Sequence, residues 1–252
     1  MKTVIITGAS AGLGREFFVN AAKIFKDAEF WLIARREDKL KDTAELVGEV
    51  KSRVIPLDIA SEQGLEAFNA LLQAEKPDIE LLINNAGFGK LGYVDEIDPY
   101  LQRAMVSLNC ASPTAICAMA VKYMHKGSAI INVASIASFV PNPRMTVYSS
   151  TKAYIASFSK GLREELKPKC INVLAVCPGP MRTEFLDVAD ITDENSKMFR
   201  TLPYCDAHVV ADKSIKRAMK GKAYYTNKAL YKFYRVIAKI VPHNVMMKFA
   251  KC

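Results

Sequence analysis

The chain has 252 residues, of which 50% are hydrophobic and 24% are charged, and this composition predicts a folded globular protein rather than a disordered one. The apolar run near the start, Val4 to Ile6, is too short for a signal-peptide core, and no uninterrupted apolar stretch approaches the length of a membrane span. The six cysteines form no Cys-x-x-Cys pair and the three histidines are scattered, so neither a metal site nor a disulfide framework is expected. Free thiols predict a reducing, cytoplasmic compartment.

The positive charge is confined to one end of the chain. The formal net charge is +9, and residues 205–252 carry eleven Lys and Arg against Asp206 and Asp212, so the preceding residues are balanced. General nucleic-acid binding is therefore not expected, and any anionic partner has to meet the basic C-terminal segment 205–252.

In chain order, residues 1–178 alternate short β-like runs with longer segments of helical period. The predicted strands are Thr3–Thr7, Glu29–Ala34, Ser52–Leu57, Glu80–Ile83, Ser128–Val133 and Cys170–Cys177. The predicted helices lie near 13–26, 37–49, 61–75, 98–125 and 149–167. Nearly continuous apolar strands are typical of a parallel sheet covered on both faces. The alternation predicts an α/β fold, a doubly wound parallel sheet of the Rossmann type, in one domain over 1–252.

Beyond Pro178 the pattern loosens. Residues 180–204 are predicted to form a substrate loop with short helices. A helix near 206–220, a short strand at Ala223–Thr226 and a basic helix from Lys228 to Val241 then complete the chain.

A glycine-rich turn joins the first strand to the first helix. It reads Thr7-Gly8-Ala9-Ser10-Ala11-Gly12-Leu13-Gly14, and such a turn lets the backbone and a helix N-terminus approach a pyrophosphate. The predicted cofactor contacts in this turn are Gly8, Ser10, Gly12, Leu13 and Gly14. The second strand ends in Ala34-Arg35-Arg36, where a fold that prefers NAD carries an acid. Arg35 is therefore expected to bind a 2′-phosphate, which favours NADP(H) over NAD(H), whereas Arg36 is interpreted as a solvated charge.

Three further motifs follow in order. Asn84-Asn85-Ala86-Gly87 follows the fourth strand, Ser135 stands thirteen residues before Tyr148-Ser149-Ser150-Thr151-Lys152, and Pro178-Gly179 precedes Thr183. With the glycine spacing Gly-x-x-x-Gly-x-Gly, this set resembles the short-chain dehydrogenase/reductase family over roughly residues 1–185. Ser112 departs from the family pattern, since many members carry glycine three residues after the asparagine that corresponds to Asn109.

The resemblance assigns roles to individual residues. It implies that Tyr148 is the catalytic acid/base, Ser135 orients the carbonyl, Lys152 contacts the cofactor ribose and Asn109 supports a proton-relay water. It also implies further cofactor contacts, namely Asp58, Asn85, Gly87, Pro178, Gly179 and Thr183. Family members often form homodimers or homotetramers through their long central helices, here those near 98–125 and 149–167.

The chemistry expected of Tyr148 depends on a lowered pKa. A free phenol has a pKa near 10, and lowering it by about three units requires roughly 4 kcal/mol of preferential stabilisation of the phenolate. Lys152 lies one helical turn away, so its ammonium, together with a positively charged nicotinamide ring, is expected to supply much of this.

Apolar residues near the catalytic motifs predict a hydrophobic substrate pocket. The candidates are Phe88, Phe139, Val140, Met145, Met181, Phe185, Leu186, Met198 and Phe199. The expected reaction is the interconversion of a ketone and a secondary alcohol on a steroid-like or acyl-type substrate. The alternatives are a non-catalytic NADP(H) sensor and a membrane-associated protein that acts through its basic tail.

Two interpretations of the tail remain open at this point. Leu230, Phe233, Tyr234, Ile237, Ile240 and Val241 recur at helical spacing, with Val245, Met246 and Phe249 beyond Pro242. The helix either packs its apolar face over the substrate pocket or a partner subunit, or it makes a peripheral membrane contact through 228–252.

Overall fold

The computed structural model describes residues 1–192, 194–248 and 250. Seven parallel strands form one sheet in the order β3-β2-β1-β4-β5-β6-β7. The strands are β1 (Lys2–Thr7), β2 (Glu29–Ala34), β3 (Ser52–Pro56), β4 (Asp78–Asn84), β5 (Met124–Val133), β6 (Asn172–Val176) and β7 (Tyr224–Tyr225). The strand order reverses between β1 and β4, which is the point where doubly wound sheets bind their ligands. The predicted α/β architecture is confirmed.

Helices cover both faces of this sheet. They are α1 (Gly12–Ile24), α2 (Glu37–Glu45), α3 (Glu62–Glu75), α4 (Pro99–Val106), α5 (Ser112–Ala120), α6 (Thr146–Leu166), α7 (Phe185–Val188), α8 (Lys197–Thr201), α9 (Ala207–Met219), α10 (Ala229–Ile240) and α11 (His243–Met246). One apolar core lies between the sheet and α1, α2 and α9, and a second lies between the sheet and α3, α5 and α6.

Strand β2 contributes alternate side chains to the two cores. Phe30 and Leu32 belong to the core under α1, while Trp31 and Ile33 belong to the core under α3. All four side chains are at most 1% exposed. Because successive side chains of a strand point to opposite faces, an uninterrupted apolar strand is the pattern that a sheet buried on both faces requires.

The helix predicted at 98–125 is confirmed over Pro99–Tyr123 and is wrong in its last residues. A π-helical turn, Ser107–Ala111, separates α4 from α5, and β5 begins at Met124 rather than at Ser128. Gly127 adopts a φ of +95°, and the strand passes through this irregular residue. The glycine breaks the apolar pattern, so the sequence reveals only the half of β5 that follows it.

The segment Pro99–Tyr123 is long and apolar enough to cross a membrane by length and composition. Its residues Ile116, Cys117 and Ala120 are nevertheless fully buried in the core under α3, α5 and α6. A helix that packs against a buried sheet has the same length and the same apolar composition.

The C-terminal segment packs against the rest of the fold. Tyr231 of α10 is 1% exposed, and its hydroxyl donates a hydrogen bond of 2.7 Å to the Pro203 carbonyl. A Cβ placed on Gly179 would lie 2.2 Å from Cε2 of the Tyr231 ring. Because residue 179 has no side chain, the Tyr231 ring can pack directly against it, and this contact positions the first turn of α10.

Candidate active site

A cavity of about 670 Å³ opens at the carboxyl ends of β1 and β4, where the strand order reverses. Its wall runs from the glycine-rich turn, past Ser135, Tyr148 and Lys152, to residues of the C-terminal segment. All the predicted cofactor and catalytic residues line it except Gly14 and Asn109, which adjoin the lining residues Gly8 and Gly87.

The glycine-rich turn brings the start of α1 close to the end of β1. Gly8 adopts a φ of +66°, a left-handed conformation that favours glycine. A Cβ on Gly14 would lie 2.0 Å from the Gly8 carbonyl oxygen, so α1 can begin this close to β1 only with glycine at residue 14. The first residues of α1, Gly12 and Leu13, line the cavity.

Asn85 supports this turn from the neighbouring strand. Its side-chain amide donates to the carbonyls of Thr7 and Gly8 at 3.1 and 3.2 Å. The Thr7 hydroxyl in turn accepts from the backbone N–H groups of Asn85 and Ala86. These bonds join the ends of β1 and β4, so Asn85 holds the shape of the turn in addition to lining the cavity.

The segment after β6 closes the other side of the cleft. The Pro178 carbonyl accepts a hydrogen bond from the Ile136 N–H at 3.0 Å. Thr183 lies against the glycine-rich turn, since a Cβ on Gly12 would be 3.1 Å from the Thr183 Cβ. The structure thus brings the motif after β6 to the turn after β1, although they are 170 residues apart in sequence.

Charged side chains gather at the end of the cavity next to β2 and β3. Arg36 is exposed, as expected of a solvated charge, but it is also paired: its Nη2 lies 2.9 Å from Glu184 Oε2 and 3.5 Å from Ser10 Oγ. Arg35 lines the cavity, is exposed, and has no ion pair or side-chain hydrogen bond within the described part of the chain. Asp58 also lines it, and its Oδ1 accepts from the Ala60 N–H.

The predicted catalytic side chains lie together across the cavity. Ser135 follows β5 and caps a short 3₁₀ helix, with its Oγ accepting from the Ala137 N–H at 3.1 Å. Tyr148 and Lys152 share one face of α6, and the Lys152 Nζ lies 5.7 Å from the centre of the Tyr148 ring. Lys152 Nζ also donates to the Val133 carbonyl at 2.9 Å, which fixes the ammonium at the end of β5.

Burial is the main cause of the pKa shifts of Tyr148 and Lys152. It raises the pKa of the Tyr148 phenol to about 12, and the hydrogen-bonding contact with Ser135 acts in the opposite direction. Burial lowers the pKa of the Lys152 ammonium to about 8. The pKa of Tyr148 therefore shifts in the direction opposite to the one expected from a neighbouring ammonium, because burial of the phenol disfavours its charged form.

Asn109 lies in the π-helical turn between α4 and α5 and is 1% exposed. Its side chain pairs with the backbone of Phe88, accepting from the N–H at 3.1 Å and donating to the carbonyl at 2.9 Å. It also donates to Thr151 Oγ1, on the same helix as Tyr148 and Lys152. Asn109 therefore connects α6 to the segment after β4, and π-helical turns recur at functional sites.

The substrate end of the cavity is apolar. Of the nine predicted pocket residues, six line it, namely Phe88, Met145, Met181, Phe185, Leu186 and Phe199. Phe139 and Val140 do not; they pack under the tail, with the Phe139 ring 5.8 Å from that of Tyr234. The Met198 side chain lies outside the described part of the structure, as does Phe249 of the predicted tail.

Sequence reasoning did not assign several residues of the wall. Glu184 follows the predicted Thr183, but no sequence signal pairs it with Arg36. The C-terminal segment contributes Leu230, Tyr231, Tyr234, Met246 and Ala250. The helical spacing in the tail was the available signal for these residues. One side of the tail packs over the pocket, as one of the two interpretations expects, whereas Phe233 and Ile240 of the predicted apolar face stay exposed.

A dinucleotide cleft that ends on a serine, a tyrosine and a lysine defines a class of nicotinamide-dependent oxidoreductases. The chain belongs to the short chain dehydrogenase family, which it matches over residues 2–193. An NADP-dependent 3-hydroxy acid dehydrogenase of Schizosaccharomyces pombe is 34% identical over 191 residues, 73% of each protein.

Solved structures agree with this assignment. A short-chain dehydrogenase from Sphingobium yanoikuyae in complex with NADPH superimposes with a TM-score of 0.81 at 26% identity, covering 98% of this chain and 95% of that one. A bulky-bulky ketone specific alcohol dehydrogenase from Comamonas testosteroni gives a TM-score of 0.77 at 25% identity, covering 98% and 94%. The protein is therefore an oxidoreductase of this family.

Proposed function

We propose that the protein is an NADP(H)-dependent oxidoreductase that interconverts a ketone and a secondary alcohol on a hydrophobic substrate, with Tyr148 as its acid/base. The observation that carries this proposal is the placement of Ser135, Tyr148 and Lys152 on one wall of a cavity that also contains the glycine-rich turn. A protein that only sensed NADP(H) would not require an acid/base set there.

The residues of the cleft fit a dinucleotide. The glycine-rich turn would hold the pyrophosphate, Asp58 the adenine, Lys152 the ribose next to the nicotinamide, and Thr183 the nicotinamide carboxamide. The bound cofactor supplies or accepts a hydride at the carbon of the substrate carbonyl or alcohol. The close approach of α1 to the Gly8 carbonyl and the left-handed Gly8 are the features of this chain that support the fit.

The protein's own groups provide the proton transfer and the orientation. Ser135 Oγ is expected to donate a hydrogen bond to the substrate oxygen and to fix its approach. Tyr148, whose pKa of about 12 keeps it a neutral phenol at pH 7, holds the proton that the substrate oxygen takes during reduction. Lys152 has three donors, one of which is already directed to the Val133 carbonyl, so the others are available for ribose hydroxyls.

The preference for NADP(H) rests on Arg35. Its guanidinium is exposed at the end of β2, without an ion pair among the described residues, and can bind a phosphate through two donors. Arg36 is held by Glu184 and Ser10 and is therefore less available. The NADP dependence of the Schizosaccharomyces pombe relative and the NADPH in the Sphingobium yanoikuyae structure support the same preference.

The wall of the cavity supports a bulky, apolar substrate. Aromatic rings, methionines and aliphatic side chains surround Tyr148, and the Phe185 ring lies 5.5 Å from the Tyr148 ring. The Comamonas testosteroni enzyme is described as specific for bulky-bulky ketones, which supports a ketone with two large substituents. Steroid-like and acyl-type carbonyls are the substrate classes to test first.

We further propose that the protein is cytoplasmic and forms a homodimer or homotetramer through α4, α5 and α6. The five described cysteines are free, which supports a reducing compartment. Tyr100, Val106 and Tyr154 on α4 and α6 are large apolar residues that are 78%, 46% and 45% exposed, as expected of a face that a second copy would cover.

The decisive test is cofactor oxidation by the pure protein, with NADPH and NADH in parallel, across steroid ketones, 3-oxoacyl thioesters and small diketones. Turnover with NADPH on any of these, lost in Tyr148→Phe while NADPH binding is retained, would support the proposal. A Tyr148→Phe rate within tenfold of the wild type would remove Tyr148 from the mechanism. Tight NADPH binding without turnover on any compound would favour the sensor.

A further inference from the structure

Helix α10 carries a row of large apolar side chains that the fold does not cover. Phe233, Val236 and Ile240 are 64%, 53% and 73% exposed, and their spacing of three and four residues places them on one side of the helix. We call these three residues the α10 stripe. Tyr231 and Ala238, on another side of the same helix, are 1% and 7% exposed and anchor α10 to the core. Among the described residues, the stripe is therefore not what holds α10 to the core.

Basic residues surround a groove next to this helix. A cavity of about 690 Å³ lies between α9 and the start of α10, and its wall includes Lys213, Lys220, Lys222, Lys228 and Lys232. Two further basic residues of the wall have partners, since Lys216 pairs with Asp212 at 2.7 Å and the Arg217 guanidinium lies 5.1 Å from the Tyr225 ring. The carboxylate of Asp206, which caps α9, is also part of the wall.

The basic groove and the α10 stripe adjoin on the surface of α10. Lys228, Lys232 and Lys239 recur at intervals of four and seven residues, which places them on one side of the helix, next to the stripe. An exposed apolar face bordered by lysines is the arrangement by which a helix lies in the interface of an anionic bilayer. Since residues 205–252 contain the whole net charge of +9, this surface is also where the protein attracts anions most strongly.

We propose that the α10 stripe and the basic groove dock the protein on an anionic phospholipid bilayer. Apolar side chains would enter the acyl boundary while the lysines bind the headgroup phosphates. A nucleic acid offers no counterpart for the stripe. A second copy of the chain, related by two-fold symmetry, would bring the same positive charge to both sides of the contact and be repelled.

Docking would also place the cavity next to the bilayer. Leu230, Tyr231 and Tyr234 of α10 line the cavity described above, while the stripe lies on the outer side of the same helix. A lipophilic substrate dissolved in the bilayer would then be presented close to the cavity. This last consequence rests on the proposed function, whereas the docking itself does not.

The test is cosedimentation of the full chain with vesicles of 30% phosphatidylglycerol in phosphatidylcholine, and with vesicles of phosphatidylcholine alone, at 0.1 M salt. The wild type should bind the anionic vesicles at least tenfold more tightly. Phe233→Ser with Ile240→Ser should lower the partition coefficient at least tenfold. A lysine near an anionic surface contributes roughly fivefold, so Lys232→Glu with Lys239→Glu should lower it by about 25-fold or more.

A charge-matched control separates docking from net charge. Lys26→Glu with Lys76→Glu removes the same charge from exposed residues that follow α1 and α3, and it should change vesicle binding less than threefold. Equal losses in the two double lysine variants, or equal binding of the wild type to both kinds of vesicle, would overturn the proposal. So would a dimer, measured by sedimentation, that dissociates in the Phe233→Ser, Ile240→Ser variant. NADPH binding by each variant reports the cofactor site separately, so a failure here is distinguishable from a failure of the proposed function.

Discussion

Replacing Lys152 by methionine should make the protein more stable at neutral pH. Lys152 is 5% exposed, and its pKa is lowered from the ordinary value of 10.5 to about 8 by burial. Such a lowering means that the ammonium is destabilised by about 3 kcal/mol in the folded chain relative to the unfolded one. Methionine has a similar shape without the charge. It forfeits the hydrogen bond to the Val133 carbonyl, about 1 kcal/mol, which leaves a net stabilisation of about 2 kcal/mol.

The pH dependence of the effect has a definite sign. Below about pH 8 the lysine is charged in both the folded and the unfolded chain, so the folded wild type is destabilised by the full free energy of burying the ammonium. Between about pH 8 and 10.5 the unfolded chain binds more protons than the folded one, so the stability contributed by this residue rises with pH. The advantage of Lys152→Met should therefore be constant below pH 8 and shrink above it. It should reverse near pH 10.5, where only the loss of the hydrogen bond to the Val133 carbonyl remains.

Urea denaturation at pH 6, 7, 8, 9 and 10 measures this difference directly. Lys160→Met is the matched control, because Lys160 lies exposed on the same helix; its stability should follow the wild type within about 0.5 kcal/mol at each pH. If Lys152→Met is less stable than the wild type at pH 7, or if the difference between them does not change with pH, the burial argument fails. The variant should at the same time lose activity, since Lys152 is proposed to hold the cofactor.

Two further predictions concern the cofactor and the tail. Arg35→Ala should weaken NADPH binding by about 1.5–3 kcal/mol and leave NADH binding nearly unchanged, as measured by fluorescence titration. Equal weakening of both cofactors would show that Arg35 does not bind the 2′-phosphate. Gly179→Ala should cost about 1–3 kcal/mol of unfolding free energy, because the new methyl group meets the Tyr231 ring, but almost nothing in a Tyr231→Ala background. Gly161→Ala, on α6 with open space around it, should instead stabilise by up to about 1 kcal/mol, and strictly additive effects at residues 179 and 231 would contradict the predicted contact.

The sheet and most of its helices could be predicted because the apolar runs and their spacing are local signals. Trp31 and Ile33 on one face of β2, and Phe30 and Leu32 on the other, form two cores from one unbroken run. The first residues of β5 could not be predicted, since Gly127 interrupts the pattern that identifies a strand.

The candidate site was predictable where a motif is contiguous or lies on one helix. Tyr148 and Lys152 are four residues apart, and the glycine spacing marks the turn before α1. The contact of Arg36 with Glu184 joins residues 148 positions apart and has no periodic signature. The direction of the Tyr148 pKa depends on burial from several elements, which the sequence of α6 alone does not contain.

The contact of the Tyr231 ring with Gly179 places a strict steric requirement on the attachment of the tail. The family match ends at residue 193, yet the wall of the cavity includes residues from 230 onward. Exchange of the C-terminal segment between relatives would therefore alter the substrate pocket while the hydride-transfer machinery stays the same. The exchange is compatible only with a recipient that keeps glycine at residue 179, because the incoming aromatic ring occupies the volume that any side chain there would need.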